Sequence, residues 1–317
     1  MSQEVLWDTK NKRGSKPEKI VDYILLAEFD IDSGSTLRHQ YPAEIQEYKP
    51  DWFAEHMLPE GAHNRETDYT YIFLHRTGPH IDSDYWIKPN KTPSSSSPSS
   101  EKVFLYGLNF VKTKHDSTVR RGAILKSMCI FSRYSFIEAF KKPLELALEE
   151  YFGNPSIEVL KNLFNSLNAI DISKLQYPTY LEQMLMRRGV IYDAIRQPVT
   201  DHIPSSWNKS ISGQFNDIRL YLSIPVYRTP DEVGDISVTN LVKLFGEAVM
   251  RIYHAILTKQ RVLFVGYNHA ASDIAQMVLS SVATVCPPMT DVIRRTFPYC
   301  TLSDLSFLEV RTVYALV

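Results

Sequence analysis

The chain has 317 residues, a formal net charge of −1, and 44% hydrophobic residues. That length exceeds one ordinary domain and suits two, each with enough apolar material for its own core. The near-neutral balance excludes a nucleic-acid-binding surface spread over the whole chain and leaves room only for a local basic patch.

Lys10, Lys12, Arg13, Lys16 and Lys19 mark a polar, flexible arm over residues 1–20, without the apolar run of a secretory signal. No stretch approaches the ~18 continuous apolar residues of a membrane span. Residues 21–31 are strongly apolar and predict a strand. Asp32-Ser33-Gly34-Ser35 is turn chemistry, because Gly34 tolerates positive φ and its neighbours bond locally. Leu37, His39 and Tyr41 then alternate away from the turn, which predicts a hairpin. Trp52, Phe53 and Met57 suggest a short helix or packed loop, closed by Pro59 and Gly61. Residues 69–76 are aromatic and branched and predict a third strand. Residues 88–102 hold Pro89, Pro93, Pro98 and six serines. Such a segment has little apolar surface to bury and predicts a mobile insertion inside the first domain.

Phe104, Tyr106, Leu108 and Phe110 share one face at period two, so 103–111 is a strand, and 123–131 is another. Ser135 and Glu138 have the spacing of a capping box. The helix they open carries Phe136, Phe140, Leu144, Leu148 and Tyr151, with Pro143 expected to bend it and Gly153 to end it. A further helix is expected over 157–167. Residues 171–216 are polar, basic and dotted with proline, as in a linker. Beyond them the rhythm changes. Residues 218–226 form an apolar strand. Leu241, Leu244, Phe245, Ala248, Val249, Ile252 and Ile256 mark one face of a long helix capped by Thr239. Residues 262–265 are a continuous apolar run, as in a central strand buried on both faces. Ile274, Met277, Val278, Ser281, Val282 and Val285 trace another helix, stopped by Pro287 and Pro288. Strand and helix in alternation imply a parallel α/β layer. The chain stops in an apolar stretch, 310–317, and reads as cut short.

Chemical signatures are sparse. The sequence has no Walker-type phosphate loop, no GxGxxG after a strand, no GxSxG elbow and no HExxH. Asp30-Ile31-Asp32-Ser33-Gly34 resembles the start of a calcium loop. However, its glycine comes one place early and Tyr41 stands where a bidentate Glu belongs, so it reads as a turn. His56 and His63 have no cysteine nearby and read as surface or packing residues. Cys129, Cys286 and Cys300 are odd in number and irregular in spacing, and read as small buried apolar residues. No catalytic residue, metal or cofactor is expected. Surface complementarity leaves no such trace, and that is the kind of function these residues favour.

The order of elements carries a resemblance. Ala27-Glu28-Phe29-Asp30-Ile31-Asp32-Ser33-Gly34 runs into Arg38-His39-Gln40-Tyr41-Pro42, then Met57-Leu58-Pro59-Glu60-Gly61-Ala62-His63, Tyr106-Gly107-Leu108-Asn109-Phe110 and Cys129-Ile130-Phe131-Ser132-Arg133-Tyr134. These stretches resemble the upstream, longin-type part of DENN proteins. Ile256-Leu257-Thr258-Lys259-Gln260-Arg261-Val262-Leu263-Phe264-Val265-Gly266 and Arg295-Thr296-Phe297-Pro298-Tyr299 resemble the central DENN part. Within that family the match is nearest the fungal Arf-docking proteins of vesicle traffic and polarity, and it covers 20–152 and 217–317.

The resemblance implies an α/β fold: an α+β, longin-like domain over 21–170 with its insert at 88–102, a linker over 171–216, and an incomplete α/β DENN domain over 217–317. It implies a small GTPase of the Arf or Rab class as partner, peripheral membrane association through that GTPase, a cytoplasmic protein recruited to vesicles or the cell cortex, and no nucleic acid. Nucleotide exchange needs no nucleophile. A factor that prefers the empty GTPase weakens nucleotide binding by linkage. Exchange factor, docking effector and plain adaptor all stay open. The candidate contacts are Asp32, Ser33, Ser35 and Arg38 on the hairpin, an exposed Trp52, and Arg261. Each has a plainer reading: the turn as chain reversal, Trp52 as core, and Arg261 as a cation at the preceding helix C-terminus. For the serine-rich insert, brief proteolysis is expected to cut between Lys88 and Lys102 while both fragments stay associated. Resistance there would remove the insertion.

Overall fold

A computed structural model describes residues 19–30, 32–76, 103–115, 123–172, 208–225, 236–286, 289–301, 304 and 312–316. The basic arm, the serine-rich insert, most of the expected linker and the Pro287-Pro288 stop lie outside these residues. The fold mixes helices with sheets and is α/β in class, as the sequence indicates.

The first half is built on a five-stranded antiparallel sheet in the order β2-β1-β5-β4-β3. Its strands are β1 Tyr23–Asp30, β2 Gly34–Tyr41, β3 Thr67–Arg76, β4 Val103–His115 and β5 Ala123–Ser132. β1 and β2 form the expected hairpin, with a bulge at Arg38 where Leu26 pairs His39 and Ala27 pairs Leu37. The sheet is buried on both sides. Leu25, Ala27, Leu105, Val111, Cys129 and Phe131 face Phe53 and Met57 of helix α1, Pro50–Met57. Ile24, Leu26, Leu108, Phe110, Met128 and Ile130 face the other way. There they meet Leu144 and Leu148 of α2, Lys141–Gly153, and Leu160, Leu163 and Leu167 of α3, Ile157–Asn168. Buried Asn109 fixes α1 by donating from Nδ2 to the Met57 carbonyl at 2.8 Å and to Thr70 Oγ1 at 3.0 Å.

The start of α2 departs from the expected capping box. The chain first makes a 3₁₀ turn, Ile137–Phe140, and neither it nor α2 has a side-chain cap. Glu138 instead accepts from the Tyr71 hydroxyl and pairs with Lys141 at 2.5 Å. Tertiary partners thus outbid the local amide. Pro143, expected to bend the helix, is the third residue of α2, in the first turn where an amide has no intrahelical acceptor to lose.

The strand expected to open the second half has a different neighbour. β6, Asn208–Phe215, and β7, Ile218–Pro225, form an antiparallel hairpin. β6 therefore arises from the end of the stretch read as linker. Phe215, Leu220, Leu222 and Ile224 alternate onto one face and join the same core as α2 and α3. Gly213 packs against Ile170, just past α3, so closely that a Cβ there would lie 2.6 Å from Ile170 Cδ1.

The remaining elements are α4 Val238–Phe245, α5 Val249–Leu257, β8 Arg261–Val265, α6 Ala271–Ala283, a 3₁₀ turn Thr290–Arg295, and β9 Thr312–Leu316. The expected long helix is two helices. Gly246 takes φ 53° between them, and the N-cap is Ser237, not Thr239. Leu244 is consequently 52% exposed. β8 pairs in parallel with β9 as an α/β layer requires. It is less enclosed than its apolar run suggests: Phe264 is buried, Val265 is exposed, and among the described residues β9 is its only strand neighbour. Leu241, Val249, Ile252 and Phe264 make a small separate core, whereas Ala275, Leu279 and Val282 of α6 join the large one.

Gly107 of β4 sits where no side chain fits. A Cβ would stand 2.4 Å from the Ile72 carbonyl and 2.5 Å from the Phe131 ring. Gly107→Ala is expected to lose about 1–3 kcal/mol in urea unfolding. Gly153→Ala, with nothing within 4 Å of its Cβ, should cost far less.

Candidate functional site

The hairpin tip is organised by Asp30, which sequence reading placed at the end of the strand and the start of the turn but not among the contacts. The Asp30 carboxylate accepts from the amides of Asp32 at 2.9 Å and Ser33 at 3.0 Å, and from the Ser33 hydroxyl at 3.1 Å. Those bonds, the Ser33 amide first and the Asp32 amide second, hold its carboxyl below the usual range. Gly34 completes the reversal at φ 74°. Asp32 and Ser33 are exposed and Ser35 is half-buried. Arg38 is pinned at the bulge by Glu28 at 3.3 Å and Asp30 at 3.9 Å. Four of the six expected contact residues therefore share one braced tip.

The bracing continues across the sheet. Glu28 also holds Lys126 at 2.9 Å, and Lys126 lies over the Tyr151 and Phe152 rings at 4.7 and 5.3 Å. Burial, with Glu28 nearby, pushes the Tyr151 phenol well above its ordinary range. Glu149 accepts from Lys112, and from Lys114 at 2.8 Å, and these bonds lower its carboxyl. The row is thus a chain of mutually satisfied charges that stiffens the hairpin. The described cysteines are free thiols. Cys129 is pushed well up and Cys300 up to about 12, both chiefly by burial, so neither is poised as a nucleophile.

The other two expected residues lie elsewhere. Trp52, read as exposed, is half-buried on α1, stacked on His56 at 3.9 Å and tilted against Tyr48 at 4.7 Å. Its aromatic area is taken up by its own helix and the adjoining loop. Arg261 opens β8 in the second half, half-buried. Neither joins the hairpin tip.

Sequence reading missed the junction of the two halves. Buried Asp68 accepts from the amides of Ala271 at 2.9 Å and Ser272 at 3.3 Å, capping α6 from a distant strand, and from its neighbour Tyr69 at 2.8 Å. A carboxylate at a helix N-terminus satisfies orphan amides and meets the favourable end of the dipole. Arg65 Nη2 donates to the Asn268 carbonyl at 2.8 Å. His56, 3% exposed, meets Asp304 at 3.0 Å. The partners stand 203, 204 and 248 positions apart, so no local spacing announces them.

Comparison with known proteins falls on these same segments. Residues 23–86 match the family model described as the docking domain of Afi1 for Arf3 in vesicle trafficking. Residues 235–316 match the model described as stabilization of polarity axis. An AFI1-like protein of Schizosaccharomyces pombe is 25% identical over 337 residues, covering 91% of this chain and 54% of the relative. A protein named as a DENND6 homolog, from Dictyostelium discoideum, is 25% identical over 153 residues, covering 47% of this chain and 19% of the relative. The chain is similar to Arf-docking and polarity proteins. It spans about half the length of the first relative and about a fifth of the second. The DENN side of the resemblance is met more distantly, by the second relative. The docking match covers β1, β2, α1 and β3, the polarity match covers α4 through β9, and the three polar ties join one to the other. No described helix is long and apolar enough to cross a membrane.

Removing the Asp68 carboxylate would leave the first amides of α6 without their acceptor. Asp68→Ala is expected to cost about 1–3 kcal/mol in urea unfolding, and Asp68→Asn, which keeps one acceptor, less. An unchanged midpoint for Asp68→Ala would show that the junction does not depend on it.

Proposed function

We propose that this chain docks a small GTPase of the Arf class, with the Rab class as the nearest alternative, in vesicle traffic and polarised growth. The observation that carries the reading is the placement of the Arf3-docking match on the β1–β2 hairpin, α1 and β3. The hairpin tip within that stretch is exposed at Asp32 and Ser33 and braced by the Asp30 carboxylate. A preorganised contact loses little conformational entropy on association. Asp32, Ser33, Ser35 and Arg38 are the contacts we assign; Trp52 lies on α1, apart from the tip, and enters only if the partner reaches that helix. Arg261 enters only if the partner reaches across both halves. The antiparallel sheet flanked by helices supports a longin-like first module, and the βαβ layer supports a DENN-type second one. On this reading the β6–β7 hairpin belongs with the first module, since its apolar face lies in that core. Membrane association would come through the GTPase.

The DENND6-like relative favours a second reading, in which docking also promotes exchange. Nucleotide preference separates the two: an exchanger binds the empty GTPase best, an effector the GTP form. The test is binding of the chain to Arf- and Rab-type GTPases in empty, GDP and GTP forms, with release of fluorescent GDP followed in parallel. Saturable binding of an Arf-class GTPase is the expected result. Asp32→Arg and Ser35→Arg should weaken it at least tenfold, about 1.4 kcal/mol each, with unchanged melting temperature. Binding by no GTPase would leave the adaptor reading in its place.

A further inference from the structure

The pairing registers show which features share one end of the five-stranded sheet. Thr67, Lys112, Lys126, Glu28 and Thr36 lie side by side across β3, β4, β5, β1 and β2. Thr67 opens β3, and Glu28 and Thr36 stand close to the β1–β2 turn. The start of β3 and the hairpin tip therefore project from the same rim. Neighbouring strands lie about 4.8 Å apart, which sets β2 and β3 about 19 Å apart along it. A loop of the second half, residues 266–270 between β8 and α6, is fastened to the β3 side of this rim. Arg65 holds the Asn268 carbonyl at 2.8 Å, and Asp68 holds the first amides of α6. Gly266 packs so closely on Ile274 that a Cβ would stand 2.1 Å from its Cδ1. Asn268 takes φ 61°, and Asp273 accepts from the Ala270 amide at 3.2 Å. The braced loop presents Tyr267, which at 86% is the most exposed large hydrophobic side chain among the described residues. Val265, two positions earlier, is 40% exposed.

We propose that Tyr267 is a second contact for the small GTPase docked at the β1–β2 tip, an assignment that rests on the docking reading above. Single exposed apolar residues need no explanation on a protein surface. Tyr267 differs because residues of the docking-like segment fasten its loop, and because that loop shares a rim with the tip. The chemistry of the tip asks for such a partner residue. Asp32, Ser33, Ser35 and Arg38 are all polar, and polar contacts that stay near water contribute little binding energy. Tight interfaces gain most of theirs from a few aromatic or arginine anchors that become fully desolvated. Tyrosine offers a large contact area with only two side-chain torsions to freeze, and a hydroxyl that can bond at its far end. A loop already fixed by Arg65, Asp68 and Asp273 adds little ordering cost of its own. Reach is sufficient: a standard interface takes about 800 Å² from each partner, a patch about 30 Å across, and so spans both places on the rim.

The test uses the whole chain and an Arf-class GTPase in the nucleotide form that the wild type binds best. Tyr267→Ala is expected to weaken binding about tenfold or more, with an unchanged melting temperature because the side chain is exposed. Tyr267→Phe, which keeps the ring, should stay within about threefold of wild type. Combined with Asp32→Arg, the Tyr267→Ala loss should multiply, since the two positions are well separated along the rim. A readout without substitution is hydroxyl-radical oxidation of Tyr267 in the wild type, which should fall when saturating GTPase is added. No binding by the wild type would remove the docking reading and this contact with it. Wild-type binding that Asp32→Arg weakens and Tyr267→Ala leaves unchanged would overturn the second contact alone. Undiminished oxidation of Tyr267 in the complex would do the same.

Discussion

Everything in this molecule depends on a sheet with no wet side. β1 and the end of β5 present apolar residues to both faces, and an uncovered face would leave side chains such as Leu25 or Leu26 in water. Each such side chain is worth about 1.5–3 kcal/mol when buried. Two covers are therefore obligatory. α1 is just long enough to serve one face. The other face needs more than α2 and α3 provide, so the β6–β7 hairpin and α6 are drawn into the same core. The second half is attached to the first by that shortage of cover, and the shared apolar core is the stronger part of the attachment.

Polar groups then fix the register of what the apolar groups bring together. Hydrophobic contact is non-directional and would tolerate α6 sliding along β3. A buried carboxylate with three amide donors does not tolerate it, because moving Asp68 away leaves both the acid and the helix terminus unsatisfied. Asn109 does the same for α1 on the opposite face. These few hydrogen bonds contribute modestly to stability and decisively to geometry.

At the hairpin the logic is inverted. The tip is held by Asp30 from within and by the Glu28, Arg38 and Lys126 set from below, while Asp32 and Ser33 project outward. Its shape is set by groups that are themselves engaged, so the exposed residues can meet a partner at low entropic cost. The bulge at Arg38 also interrupts the regular register of the edge strand, which guards against indiscriminate strand addition.

Period and punctuation were enough to find the β1–β2 hairpin, the two-residue alternation of β4, the face of α2, and the parallel pairing of β8, whereas α6 turns Ala275 and Leu279, outside its expected face, into the main core. The sequence by itself thus determined most element types, the α/β class and a reversal after β1, which falls at Asp32 and Ser33 with Gly34 and Ser35 already in β2. It could not show that Gly246 breaks one helical face into two, that Glu138 prefers Tyr71 to an amide, or that β6 and β7 cover the first core, since in each case a tertiary partner competes with an adequate local choice. The junction was wholly out of reach. Asp68, His56 and Asp304 are ordinary residues in ordinary contexts, and the tertiary structure alone decided their meeting. A carboxylate becomes a helix cap only when the fold carries the helix to it.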